Sequence, residues 1–138
     1  MMMLSDSQRD LVRDKGTILG RALIGLLFLV SGLAMAFTGG AEDVANNFNF
    51  LGSLAILVGW AAILLKVVAG GAIIIGVRVG AASAGLILFT AIATLIAHVN
   101  PFEMLEVFKN LAIIGGLLYL MAYGPGGTNT HSLKTGSN

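Results

Sequence analysis

Four apolar stretches, each near the length that a bilayer's hydrocarbon core demands of a helix, leave this chain few folds to choose from. They run from about Thr17 to Phe37, Leu51 to Val77, Val79 to Ala97 and Val107 to Tyr123. A water-soluble domain of 138 residues could not hide them, because 57% of the residues are hydrophobic, 11% are charged and the mean hydropathy is +0.91. The reading is a single all-α integral membrane domain: a four-helix bundle, antiparallel in up-down-up-down order, with backbone polar groups satisfied inside each helix. The second stretch, as one helix of 27 residues, would be about 40 Å long against a hydrocarbon core of about 30 Å, so it must tilt, bend or protrude.

The flanks are polar. Met1 to Gly16 alternates Asp6, Arg9, Asp10, Arg13, Asp14 and Lys15, and is expected in water as a short surface helix. Thr38 to Phe50 reads as a polar connection with Gly39, Gly40, Glu42, Asp43 and asparagines, whereas Gly76 to Gly80 allows only a tight turn. His98, Asn100, Pro101, Glu103 and Glu106 mark the third connection, and Gly124-Pro125-Gly126-Gly127 ends the last helix before a soluble tail, residues 124–138. Arg21, the first apolar run and Ala34-Met35-Ala36 imitate a cleavable signal peptide, but the long leading segment with three aspartates favours a retained helix.

Orientation follows from the basic residues. One side of a four-span bundle collects Arg9, Arg13, Lys15, Arg21, Arg78 and Lys134, and the other only Lys109. Both termini are therefore expected in the cytoplasm, and the chain in the inner (plasma) membrane as a multi-pass protein. A net charge of +1 with no basic run between aromatics sets nucleic acid aside as a partner; the bilayer is the first partner. With no cysteine there is no disulfide, thiol chemistry or thiolate metal site, so any electron-transfer role draws on a partner's cofactors.

Small residues predict where helices meet: Gly16-xxx-Gly20, Ser31-Gly32, Ala69-Gly70-Gly71-Ala72, Gly76-xxx-Gly80-xxx-Ala84 and Gly115-Gly116. Packing within one bundle is the simpler use of such grooves; a homo-oligomer face is the alternative.

Lys66 stands out as a charge inside the second span. Twelve residues before Arg78, or about 18 Å along a helix, it lies near the bilayer midplane. Ser31, Phe89, Thr90, Thr94 and the Ile113 to Gly116 segment reach comparable depth, and no carboxylate does. A lysine there costs about 2.5–3.5 kcal/mol on insertion, so it should face the bundle interior. Two roles are open to it: a polar pin bonded to Ser31, Thr90 or backbone near Gly70 and Gly71, or an ammonium facing a ligand. His98, at a helix end with no second histidine nearby, is an interface residue before it is a ligand, and a metal site is not expected. Arg21 and Arg78 read as topological anchors, Trp60, Tyr119 and Tyr123 as belt or packing residues, and Lys109-Asn110 as satisfying the start of the last helix or binding headgroups.

The segments "GRALIGLLFLVSGLAMAF", "LLKVVAGGAIIIGVR", "LFTAIATLIAHVN" and "FKNLAIIGGLLYLMAYGPGG", in this order and spacing, resemble the DoxX family of small four-helix bacterial membrane proteins. Arg21, Arg78, His98, Lys109, Asn110 and the Gly-Pro-Gly belong to that likeness. The resemblance implies a quinone-linked setting, since the family takes its name from a subunit of a thiosulfate:quinone oxidoreductase and other members are tied to quinone or catechol stress. Quinone is then the implied ligand, with no intrinsic cofactor, and membrane redox proteins are the implied partners. The chain departs from the pattern at three places: Met35 where many members have lysine, Lys66 where they have glutamate, and Lys134 where they have aspartate.

No independent catalytic constellation is visible: there is no membrane acid, no serine–histidine pair with an orienting group and no nucleotide loop. The leading expectation is a non-catalytic accessory or subunit of a quinone-linked membrane redox system. A small-solute transporter or channel, with Lys66 as its midplane contact, and a purely structural membrane interaction protein are the alternatives.

Overall fold

The computed structural model describes residues 3–99 and 101–126. Asn100 and the tail from residue 127 on, with Ser132-Leu133-Lys134, lie outside the described residues. Within them all regular structure is helical.

Helix α1 (Asp6–Leu11) starts at a capping box: Ser5 Oγ accepts from the Gln8 amide, and the Gln8 side chain accepts from the Ser5 amide. A π-helical turn, Val12–Gly16, leads from it directly into α2 (Thr17–Thr38). The polar leading segment is thus helical, but it runs on into the first span instead of forming a separate element.

Gly39, with φ +78, ends α2 in the left-handed region. The chain then forms α3 (Gly40–Asn47) where the sequence suggested a loop. This short helix folds onto α4 (Ala55–Ile75), because a side chain at Gly59 would run into the Ala41 carbonyl and glycine leaves that space free. Between them Asn49–Leu54 makes a 3-10 segment interrupted at Gly52 (φ +61, ψ −130). That bend resolves the length mismatch: the 21 residues of α4 span about 32 Å, close to the hydrocarbon thickness.

The next turn is as tight as its glycines require. Gly76 adopts φ +84, the Val77 amide reaches back to the Ala72 carbonyl at 2.9 Å, and Arg78 is left-handed as well (φ +48). Helix α5 (Val79–Ala97) begins at once, and α6 (Met104–Tyr123) starts at Met104 rather than Val107. Among the described residues, four helical segments are long and apolar enough to cross a membrane, and their exposed faces carry leucine, isoleucine, valine and aromatic side chains. The chain is a multi-pass membrane protein.

Packing is pairwise. In the α2–α4 pair, Gly32 lies against Lys66 and Val67, and Gly25 against Gly70 and Ile74, so the helices run antiparallel. A Cβ at Gly25 would stand 2.7 Å from the Gly70 carbonyl oxygen, and one at Gly70 2.8 Å from that of Gly25. Such backbone contact maximises van der Waals attraction where lipid offers no hydrophobic drive. Gly116 packs against Ile24, but a Cβ added at Gly20, Gly71, Gly80 or Gly115 would meet nothing within 4 Å, so those expected positions are not close-packing positions in this bundle. The α2–α4 seam uses Gly25 as well, and Gly59 serves the α3–α4 contact. In the α5–α6 pair a polar tie joins the helices: Asn110 Nδ2 donates to Thr94 Oγ1 at 2.9 Å, while that hydroxyl donates to the Thr90 carbonyl at 2.6 Å.

The two pairs close on each other only over half their length. Phe28, Ala69, Ile73, Val79, Leu86, Leu117 and Leu120 form one core cluster at the end nearer the termini. Toward the α3 end, Ser31, Ala62, Gly85, Ala93 and Ala97 are too small to fill the interior, and the bundle is hollow.

Candidate functional site

The hollow half is a cavity of about 940 Å³, in the range of small-molecule sites. Helices α2, α4, α5 and α6 form its walls, and Val44, Asn47 and Phe48 of the α3 region contribute from one end. Lys66, from the middle of α4, lines it and is half-buried. Its Nζ is 3.2 Å from Met35 Sδ and 5.6 Å from the centroid of the Phe89 ring, a cation–π arrangement. The expected hydroxyl and backbone partners are not the ones it uses. Ser31 lines the same cavity, but its hydroxyl turns to the Phe28 carbonyl of its own helix at 3.5 Å.

Thr90 also lines the cavity, and its hydroxyl is buried with no hydrogen-bond partner among the described residues. Orphaned polar atoms of this kind are costly and mark places where water or a ligand can bind. Thr94 is one turn farther along α5, engaged with Asn110. The end of the cavity toward the α5–α6 connection is polar: His98, Glu106, Lys109 and Asn110 all contribute to its lining. Lys109 pairs with Glu106 one helical turn away. His98 Nδ1 approaches Glu103 Oε2 to 3.5 Å without hydrogen-bond alignment.

Lys66, Ser31, Thr90, His98, Lys109 and Asn110 therefore meet in one place, although the last two looked from the sequence like headgroup or helix-start residues. Arg21 and Arg78 do not join them. The Arg21 guanidinium donates to the Pro125 carbonyl at 2.9 Å and lies over Gly76, tying α2 to the end of α4 and to the segment after α6. Arg78 is exposed in the turn before α5. Sequence reasoning missed Met35 and Phe89 as the partners of Lys66, since neither residue type announces a polar role. Among the described residues, no three histidine, aspartate or glutamate side chains come together as metal ligands would.

A family model described as DoxX matches residues 16–99, more than half of the chain. The chain belongs to the DoxX family. The DoxX match covers α2 to α5 and includes Lys66, Phe89, Thr90 and His98; Glu106, Lys109 and Asn110 of α6 lie beyond it. Comparison with curated proteins and with solved structures gives no match.

Proposed function

We propose that this DoxX protein is a non-catalytic accessory or subunit of a quinone-linked redox system in the inner membrane, and that its hollow half holds a quinone ring. The observation that carries this reading is the combination, in one cavity, of an aromatic face (Phe89), an ammonium beside it (Lys66) and an unpartnered buried hydroxyl (Thr90). A quinone presents the complementary chemistry: a flat ring that stacks and carbonyl oxygens that accept from Lys66 Nζ and the Thr90 hydroxyl. The apolar rim, with Leu27, Leu88 and Ile92 exposed, suits a hydrocarbon tail lying toward lipid. Electrons are supplied and removed by partner proteins, and this chain's residues bind and orient the ring.

The transporter reading draws less support. Ile73, Leu86 and Leu117 are fully buried in the half toward the termini, where a continuous solute path would have to run.

Two measurements test the proposal. Protein purified in mild detergent should carry quinone in its organic extract, and a short-tailed benzoquinone should raise its melting temperature. Phe89→Ala and Lys66→Met should each weaken that shift several-fold. An extract free of quinone together with no thermal shift would reject the reading.

A further inference from the structure

The charges around the cavity do not balance. Its lining holds Lys66 and Lys109 against one carboxylate, Glu106, and that carboxylate is occupied by Lys109. Glu103, the other acid at this end, lies beside His98. Lys66 makes no salt bridge among the described residues. Its contacts, the Met35 sulfur and the Phe89 face, are electron-rich but uncharged. They can hold an ammonium without neutralising it.

Isolated charges in low dielectric are expensive, and pairing offsets the cost. The ligand can supply the missing partner. It must also reach the site through lipid, because the exposed rim residues Leu27, Ala61, Leu88 and Ile92 are apolar and belong to faces of membrane-spanning helices. A water-soluble anion fits that rim poorly, whereas an amphiphile with an acidic head fits both features. Thr90 adds a second buried donor in the same cavity.

We infer that the cavity selects a lipid-soluble ring carrying an acidic hydroxyl and binds it as the oxyanion, paired with the Lys66 ammonium. This rests on the quinone reading above and narrows it from neutral quinones to hydroxyquinone-like acids. A neutral lysine takes the proton of the ring hydroxyl, and a lysine already protonated takes the ring as the anion whose proton has gone to water; either way the bound pair is ammonium and oxyanion.

The test compares an alkyl hydroxynaphthoquinone with its methyl ether, which keeps the ring and tail and removes the acid. Binding is measured at neutral pH in one detergent and corrected for partition into empty micelles. The acid should bind wild-type protein about tenfold more tightly or better. Lys66→Met should bring the two affinities close together by weakening the acid far more than the ether, and Lys66→Arg should keep the preference. Equal binding of both compounds to wild-type protein would overturn the inference while the quinone reading stands. Absence of binding by either would overturn both. A preference that survives undiminished in Lys66→Met would remove Lys66 from the role; the wild-type comparison decides the chemistry even where a variant folds poorly.

Discussion

Lys66 of α4 meets Met35 of α2 across the seam between the two helices, with Nζ 3.2 Å from the sulfur. These are two of the positions at which the DoxX resemblance implies other residues, a lysine at 35 and a glutamate at 66. The geometry links the two positions: where the resemblance implies a cation facing an acid, this chain sets a thioether against a cation. A lysine at position 35 would set two ammonium groups side by side.

That relationship predicts a mutant cycle. Met35→Lys alone should lower stability by about 1–3 kcal/mol, since like charges in a half-buried site repel. Lys66→Glu alone should also destabilise, leaving a half-buried carboxylate with no cation opposite. The double substitution Met35→Lys with Lys66→Glu should recover most of the loss. Thermal melts in one detergent decide it, and a double variant as unstable as the sum of the singles would mean that the two side chains do not interact.

The glycine seam predicts a sharp positional contrast. Gly25→Leu and Gly70→Leu should each lower the melting temperature strongly, because their added side chains meet backbone that cannot yield. Gly59→Leu should act likewise by displacing α3 from α4. Gly71→Leu, next door, should be nearly neutral, as Ala61→Leu should be, and Gly116→Leu should fall between, since it meets only the end of the Ile24 side chain. Similar losses at Gly70 and Gly71 would show a different rotation of α4.

Topology makes a third prediction. If the basic residues orient the bundle with both termini in the cytoplasm, reporters fused after Asn138 and inserted at the exposed pair Asn46-Asn47 of α3 should report opposite sides. The same side for both would be incompatible with four spans, and the terminal reporter alone outside would reverse the orientation.

The sequence alone determined the features that depend on local, one-dimensional quantities. Hydropathy and length set the four spans, glycine spacing set the tight turn at Gly76, and position within its span put Lys66 halfway along α4. Which faces of the helices meet was decided only by the tertiary structure. In a soluble bundle the buried stripe differs in polarity from the exposed one, but here lipid-facing and core-facing residues are equally apolar, so periodicity carries little information. Gly70 and Gly71 are indistinguishable in sequence, yet a side chain at the first would meet the backbone of α2 and one at the second would meet open space. For the same reason neither the hollow half nor the contact of Lys66 with Met35 and Phe89 was legible. Each depends on the register between helices distant along the chain, and that register is set by the backbone approach at Gly25, Gly32 and Gly70.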